Sequence, residues 1–293
     1  MLTTSYEMIQ KAYKGGYAVP AINTQGGTYD IIRAICMAAE ELQSPVILAH
    51  YVNTGTYSGH KWFYETARWM AEQVSVPVAI HLDHGDSFER CMEMLQIGFT
   101  SVMYDGSALS MEENAAKTEE IAKVCRCFGV PLEAEIGELA RLNDDGLQVG
   151  VSNIADPEVV KKYLSLCNPD MLAIGIGNAH GFYKGTVDIR VEVLEECRKF
   201  TEVPFVLHGC TGMDEKLIKR SIKSGVAKIN FGTQVRCRYI DLVKEGLRLG
   251  EDGGHAWKLS AYVEGQLQDN IKDIIHLAGS DGKAKEFYKD NEN

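Results

Sequence analysis

Short apolar runs alternate with helix-length amphipathic stretches along the whole chain, and this alternation narrows the possible folds more than any other feature. Eight candidate strands fall at residues 17–23, 45–50, 77–83, 101–105, 131–137, 171–177, 204–209 and 226–232. Amphipathic stretches lie between them, such as residues 111–128 and 159–166, the latter opened by Asp156 as N-cap and Pro157 at the first helical position. Strands separated by helices imply a parallel sheet. Eight such units, with no linker rich in Pro, Gly or Ser between them, predict a single α/β domain over residues 1–293, closed as a (β/α)8 TIM barrel. No GxGxxG follows the first strand, which argues against a dinucleotide fold. Residues 2–14 read as a helix capping the barrel bottom, residues 260–277 as an extra C-terminal helix, and 284–293 as a frayed polar tail.

With 45% hydrophobic and 24% charged residues, the chain can bury a large core. Its net charge of −11 argues against nucleic acid as a partner, because binding a polyanion needs clustered Lys and Arg. An anionic ligand must therefore be held by a local site. The opening residues do not read as a signal peptide and no apolar run spans a bilayer, so a cytoplasmic protein without a membrane partner is expected. The eight cysteines form no CxxC pair and read as reduced, packed thiols.

In a barrel of this kind, active sites are built where the strands end and the βα loops begin. His81, Asp83 and His84 close the third strand, Asp105 the fourth, and Glu135 lies late in the fifth. His180 follows the sixth strand, His208 ends the seventh, and Asn230 lies near the end of the eighth. Imidazole is the commonest zinc ligand, and catalytic zinc takes three protein ligands while keeping a position open. His84, His180 and His208 are the natural set. His60, His255 and His276 read as surface residues, His81 shares the interior face with Asp83, and His50 faces the rim with its role open. The loops after strands seven and eight, HGCTG (208–212) and NFGT (230–233), suit a phosphate, since glycines expose backbone N–H groups and Thr211 and Thr233 add hydroxyls.

The motifs YAVPAIN, SPVILA, HLDHG, SVMYDGS, EAEIG, GNAHG, VLHGCTG and KIN follow one another in this order over nearly the whole chain. In this the sequence resembles the class II, zinc-dependent ketose-bisphosphate aldolases of the fructose- and tagatose-bisphosphate type. The resemblance implies His84, His180 and His208 as zinc ligands. It implies Asp105 and Glu135 as carboxylates beside the metal, able to hold an alternative or second ion. Asp83 is then the acid/base group for the C4 hydroxyl, and Asn230 the hydrogen-bond partner of the enediolate. Gly181, Lys184, Gly209, Thr211, Gly232 and Thr233 hold the C1 phosphate, with a monovalent cation, Na+ or K+, beside it. The implied substrate is a small sugar phosphate, and the implied assembly is a homodimer or homotetramer.

Several positions depart from the family pattern. Thr211 stands where Ser is usual, and Cys210 replaces a smaller residue. The loop after strand five reads ARLNDD, so Asn143 occupies the place of a loop acid and leaves Asp144 or Asp145 as substitutes. Trp257 stands where an arginine grips the distal phosphate, and an indole cannot replace a guanidinium there. Tyr51 replaces a serine. Dihydroxyacetone phosphate is thus expected as one product, with an aldehyde that need not carry a phosphate. Arg141, Arg236 and Lys258 are the candidate contacts for another distal anion. Two further readings are a Schiff-base aldolase using Lys228, which leaves the three histidines without a purpose, and a homologue that binds a sugar phosphate without turnover.

Overall fold

The computed structural model describes residues 1–137, 140–142, 148–149, 154–183 and 188–288, residues 140–142 and 148–149 by their backbone alone. Eight parallel strands close into a barrel: β1 (Val19–Asn23), β2 (Val46–Tyr51), β3 (Val78–Gly85), β4 (Ser101–Tyr104), β5 (Leu132–Ile136), β6 (Met171–Ile174), β7 (Phe205–Leu207) and β8 (Val226–Phe231). The ring is sealed where β1 pairs with β8, from Val19 opposite Lys228 to Ile22 opposite Phe231. Every strand anticipated from the sequence is present, with ends shifted by a few residues. The expected (β/α)8 barrel is the observed fold.

Alternation along each strand separates two cores. Outward residues such as Ile22, Leu48, Ile80 and Leu82 pack against the surrounding helices. Inward residues Val19, Ala21, Ile47, Ala79, Met171, Ala173 and Val206 form a second cluster with Met8, Ile9 and Ala12 of the helix Ser5–Gly15. That helix therefore plugs the barrel bottom, as its apolar spacing suggests. Above this dry floor the interior turns polar. His81, Glu133 and Lys228 are completely buried there, and Asp83, Glu135 and Asn230 lie nearer the rim.

Local sequence sets the helix boundaries. The helix Met111–Phe128 opens on a capping box, in which Ser110 Oγ accepts from the Glu113 N–H and Glu113 Oε2 accepts from the Ser110 N–H. Asp156 caps Pro157–Leu166 by accepting from the Glu158 N–H at 2.9 Å. The extra C-terminal helix runs over Ala256–Ala278 and packs Val263, Leu267, Ile271 and Ile275 inward. Among the described residues, no helix is long and apolar enough to cross a membrane.

Three expectations need correction. The tail is not frayed from residue 284: Lys283–Phe287 forms a 3-10 turn with Ala284 and Phe287 buried, and the Lys11 ammonium lies 4.5 Å from the centre of the Phe287 ring. Apolar burial and this cation contact hold a segment whose composition reads as solvated; residues 289–293 lie outside the described residues. His50 does not face the rim. Its strand neighbours Ala49 and Tyr51 flank it, so alternation sends it outward, where it stacks on Phe63 at 4.1 Å and shares a 2.9 Å hydrogen bond with His60. His60 in turn meets Arg90 and is only partly exposed, rather than a free surface group.

Gly85 ends β3 where a Cβ atom would lie 2.4 Å from the Met103 carbonyl oxygen and 2.7 Å from Leu82 Cδ2. Gly85→Ala is expected to lower stability by roughly 1–3 kcal/mol, the usual range for overpacking, read as a lower urea midpoint at unchanged slope.

Candidate active site

Asp83 and His84 are adjacent in sequence, and in a regular strand they would point to opposite faces. The pairing of β3 with β4 shifts register between Leu82 and Gly85, and His84 adopts a left-handed backbone with φ 55°. This bulge turns both side chains toward one cavity. A non-glycine residue held there costs about 1–3 kcal/mol, and such strain clusters at functional sites.

The His84, His180 and His208 rings converge, with centroids 4.9 to 6.1 Å apart. Each offers one nitrogen within 4.8 Å of the other two, which is metal-binding geometry. Their remaining contacts aim them. His84 Nδ1 lies 2.8 Å from Asp105 Oδ2 and 3.8 Å from Glu135 Oε2. His84 Nε2 is buried without a hydrogen-bond partner among the described residues, as a nitrogen reserved for a metal would be. His208 Nε2 lies 2.8 Å from Glu133 Oε1, leaving Nδ1 toward the cluster and 3.3 Å from Asn230 Nδ2. His84, Asp105 and Glu135 form a second group of donors within the same 4.8 Å limit. The donor set suits one divalent ion on the histidine side or another on the carboxylate side.

Loop contacts fix these positions. Asp105 accepts from the Ser107 N–H and hydroxyl at 3.1 and 2.6 Å. In GNAHG, the Asn178 side chain donates to the His208 carbonyl at 2.9 Å and accepts from the Ile176 N–H at 2.9 Å, tying the β6 and β7 ends together. His180 lies in the short strand Ala179–His180, which pairs in parallel with Ala140–Leu142, the start of the loop after β5.

Burial alone would lower the His84 pKa, but its hydrogen bond to Asp105 and the charges of Asp83 and Glu135 outweigh this and raise it to about 10. Burial would raise Asp105, yet His84 and the Ser107 contacts hold its carboxyl below the usual range. Glu135 is driven well above the normal carboxylate value by burial and by Asp105. His208 is held well below the usual value, first by burial and then by His84.

Asp83, His84, Asp105, Glu135, His180, Gly181, Gly209, Thr211, Asn230, Gly232 and Thr233 all line one cavity of about 660 Å³, with His208 just beneath. Asp83 Oδ1 accepts from Asn230 Nδ2 at 3.2 Å. Gly209 has φ 66°, and a Cβ there would meet the Ala179 carbonyl oxygen at 2.3 Å, so this turn requires glycine. Thr211 Oγ1 accepts from the Gln234 N–H at 3.2 Å, which leaves its own proton for a ligand. Lys184, Asn143, Asp144 and Asp145 lie outside the described residues, as does the side chain of Arg141.

The departures resolve individually. Cys210 is buried with Sγ 3.3 Å from the Leu207 carbonyl, and burial pushes its thiol up to about 12, so it is packing. Tyr51 lines the cavity with its ring 6.0 Å from that of His84. Trp257 is 67% exposed at the start of the C-terminal helix, away from the cavity lining. Arg236 does line the cavity. Sequence reasoning missed Glu133, although Glu133 and Glu135 stand two apart in one strand and so share its inner face. It also missed Asn23, Gln25, Asp86 and Ser107 in the lining, which are ordinary loop polarity without the fold.

A family model described as fructose-bisphosphate aldolase class-II matches residues 3–283. The chain is 37% identical to a Bacillus subtilis (strain 168) protein described as a probable fructose-bisphosphate aldolase, covering 99% of each. It is 33% identical to the sulfofructosephosphate aldolase of Alkalicoccus urumqiensis, covering 96% of this chain and 97% of that one. Among solved structures, the YdjI aldolase of Escherichia coli K12 superimposes with a TM-score of 0.84 at 30% identity, over 97% of this chain and 100% of the other.

Because the His84 pKa is raised to about 10, this group is protonated at neutral pH and must lose its proton to ligate a metal. Divalent-metal binding at pH 7.5 (about neutral) is therefore expected to release about one proton per ion, and affinity to rise with pH until about pH 10. Calorimetry in two buffers of different ionisation enthalpy checks this; no released proton contradicts it.

Proposed function

The chain belongs to the class II fructose-bisphosphate aldolase family and is an aldolase, a carbon–carbon lyase; we propose that it reversibly cleaves the C3–C4 bond of a ketose 1-phosphate or ketose 1,6-bisphosphate, using zinc. The products are dihydroxyacetone phosphate and an aldehyde. The observation that carries this reading is the convergence of three histidines, Asp83 and Asn230 beside glycine-rich turns on one cavity.

His84, His180 and His208 are the proposed zinc ligands, with Asp105 and Glu135 available to a second or alternative ion. Zinc held there would act as a Lewis acid, polarising the ketose carbonyl. Asp83, exposed to the cavity, accepts the C4 hydroxyl proton as the C3–C4 bond breaks, and returns it in the condensation direction. Asn230, already hydrogen-bonded to Asp83, is placed to donate to the enediolate oxygen once substrate takes up the space between them. Gly181, Gly209, Thr211, Gly232 and Thr233 hold the C1 phosphate at the N-terminus of the helix Thr233–Leu249, with Lys184 and Na+ or K+ added by resemblance. A homodimer or homotetramer is proposed on the same resemblance, and a cytoplasmic location on the opening residues and the lack of a bilayer-length apolar run in the sequence.

A second reading of the distal group has its own support. Among the described residues, Arg236 is the one lysine or arginine lining the cavity, and it lies one turn along the helix that begins at the proposed C1-phosphate site. The far half of the cavity offers no comparable cation among those residues, and the sulfofructosephosphate aldolase is a relative of comparable similarity. A ketose 1-phosphate with a sulfonate, a carboxylate or no distal charge therefore competes with fructose 1,6-bisphosphate.

Dihydroxyacetone phosphate release from fructose 1,6-bisphosphate and from 6-deoxy-6-sulfofructose 1-phosphate, followed by coupled NADH oxidation, separates the two readings by kcat/KM. Either activity is expected to vanish with EDTA and return with zinc; release that survives complete zinc removal rejects the metal mechanism. Asp83→Asn is expected to lower kcat by about 10²–10⁴-fold while leaving zinc content unchanged.

A further inference from the structure

Below the proposed metal ligands, in a layer that barrels of this type usually fill with branched apolar side chains, sits a buried ion pair. Lys228 Nζ lies 2.8 Å from Glu133 Oε2, and neither side chain has any exposed surface. The two residues reach upward to different parts of the site. Glu133 Oε1 is 2.8 Å from His208 Nε2, and Lys228 Nζ donates to Asn230 Oδ1 at 2.9 Å. His81 Nε2 lies 3.6 Å from Glu133 Oε2, while His81 Nδ1 meets Ser101 Oγ at 2.7 Å.

We infer that Glu133 and Lys228 are a pair of positioning residues, fixing the His208 tautomer for the metal and the Asn230 amide for the reacting oxygen. A carboxylate can only accept, so His208 must carry its proton on Nε2 and present the Nδ1 lone pair to the histidine cluster. An ammonium can only donate, so the Asn230 oxygen faces Lys228 and its NH₂ faces Asp83 Oδ1 and His208 Nδ1, at the floor of the cavity. The 3.2 Å contact from Asn230 Nδ2 to Asp83 Oδ1 agrees with that orientation. One ion pair thus sets two hydrogen-bond polarities, one for the metal site and one for the catalytic amide. Lys228 does not line the cavity and both its contacts are internal, so it is not placed to form an imine with substrate.

The inference rests on the proposed zinc site, and the test separates the two. Zinc affinity is measured by chelator competition, and unfolding by urea, for the wild-type chain, Glu133→Gln, and the double variant Glu133→Gln with Lys228→Met. The double variant removes both charges at nearly constant volume, so it is expected to fold even where the single variant, with an unpaired buried lysine, does not. Loss of the anionic acceptor is expected to weaken zinc binding 10- to 100-fold, the usual effect of removing such a partner. It is also expected to alter the visible spectrum of the cobalt-substituted protein. A folded double variant with wild-type zinc affinity and cobalt spectrum overturns the inference and leaves the pair a packing feature. A wild-type chain that binds no zinc overturns the metal assignment and the inference with it. For Lys228→Met in zinc-loaded protein, kcat is expected to fall at least tenfold with KM little changed; unchanged kcat overturns the Asn230 half.

Discussion

A closed ring of parallel strands sends every second side chain inward, and the rest of this molecule is arranged around that constraint. The inward positions of β3 are Ala79, His81 and Asp83, which run from apolar floor through buried polar layer to rim within five residues. On β5, Glu133 lies in the buried layer and Glu135 one step higher beside the metal-type cluster. The same alternation builds the floor, the middle layer and the site, so they share one register. Gly85 and the bulge at His84 break that register at the end of β3, and the break brings Asp83 and His84, consecutive in sequence, to the same side.

Much of this was legible from residues alone because strand ends and helix caps are local signals. Asp156 followed by Pro157, or a glycine after HLDH, marks a boundary without any tertiary information. Convergence of the histidines followed from one further rule, that the carboxyl ends of barrel strands meet at one face. What stayed hidden depends on geometry that no local pattern carries. His50 lies at a strand end like His84, but it keeps regular alternation and faces the helices, whereas His84 escapes alternation through a positive φ. Glu133 was overlooked because its importance comes from residues distant in sequence, Lys228 and His208. The 3-10 turn at Lys283–Phe287 was misread because a charged, lysine-rich segment can still bury one phenylalanine.

The charge distribution reconciles an acidic chain with the anionic substrate proposed for it. With a net charge of −11, long-range attraction for a sugar phosphate is unavailable, so the proposed capture would rest on local groups: the backbone N–H groups, threonine hydroxyls and Arg236 that line the cavity. The carboxylates within the cavity are partly compensated where they stand. Asp105 is paired with His84 at 2.8 Å, and His84 also lies 3.8 Å from Glu135.

The layered interior also divides the site between two electrostatic regimes. The Glu133–Lys228 pair has no exposed side-chain surface, so dissolved salt screens it much less than it screens charges at the surface. The cavity mouth, with the exposed Arg236 one helical turn from Thr233, is open to counterions. Ionic strength would therefore act on the two ends of one cavity differently: added salt would compete with an anionic substrate at the entrance more than it would disturb the buried contacts of His208 and Asn230 below. Substrate capture is tuned by the surroundings, and alignment of the reacting groups by the sequence.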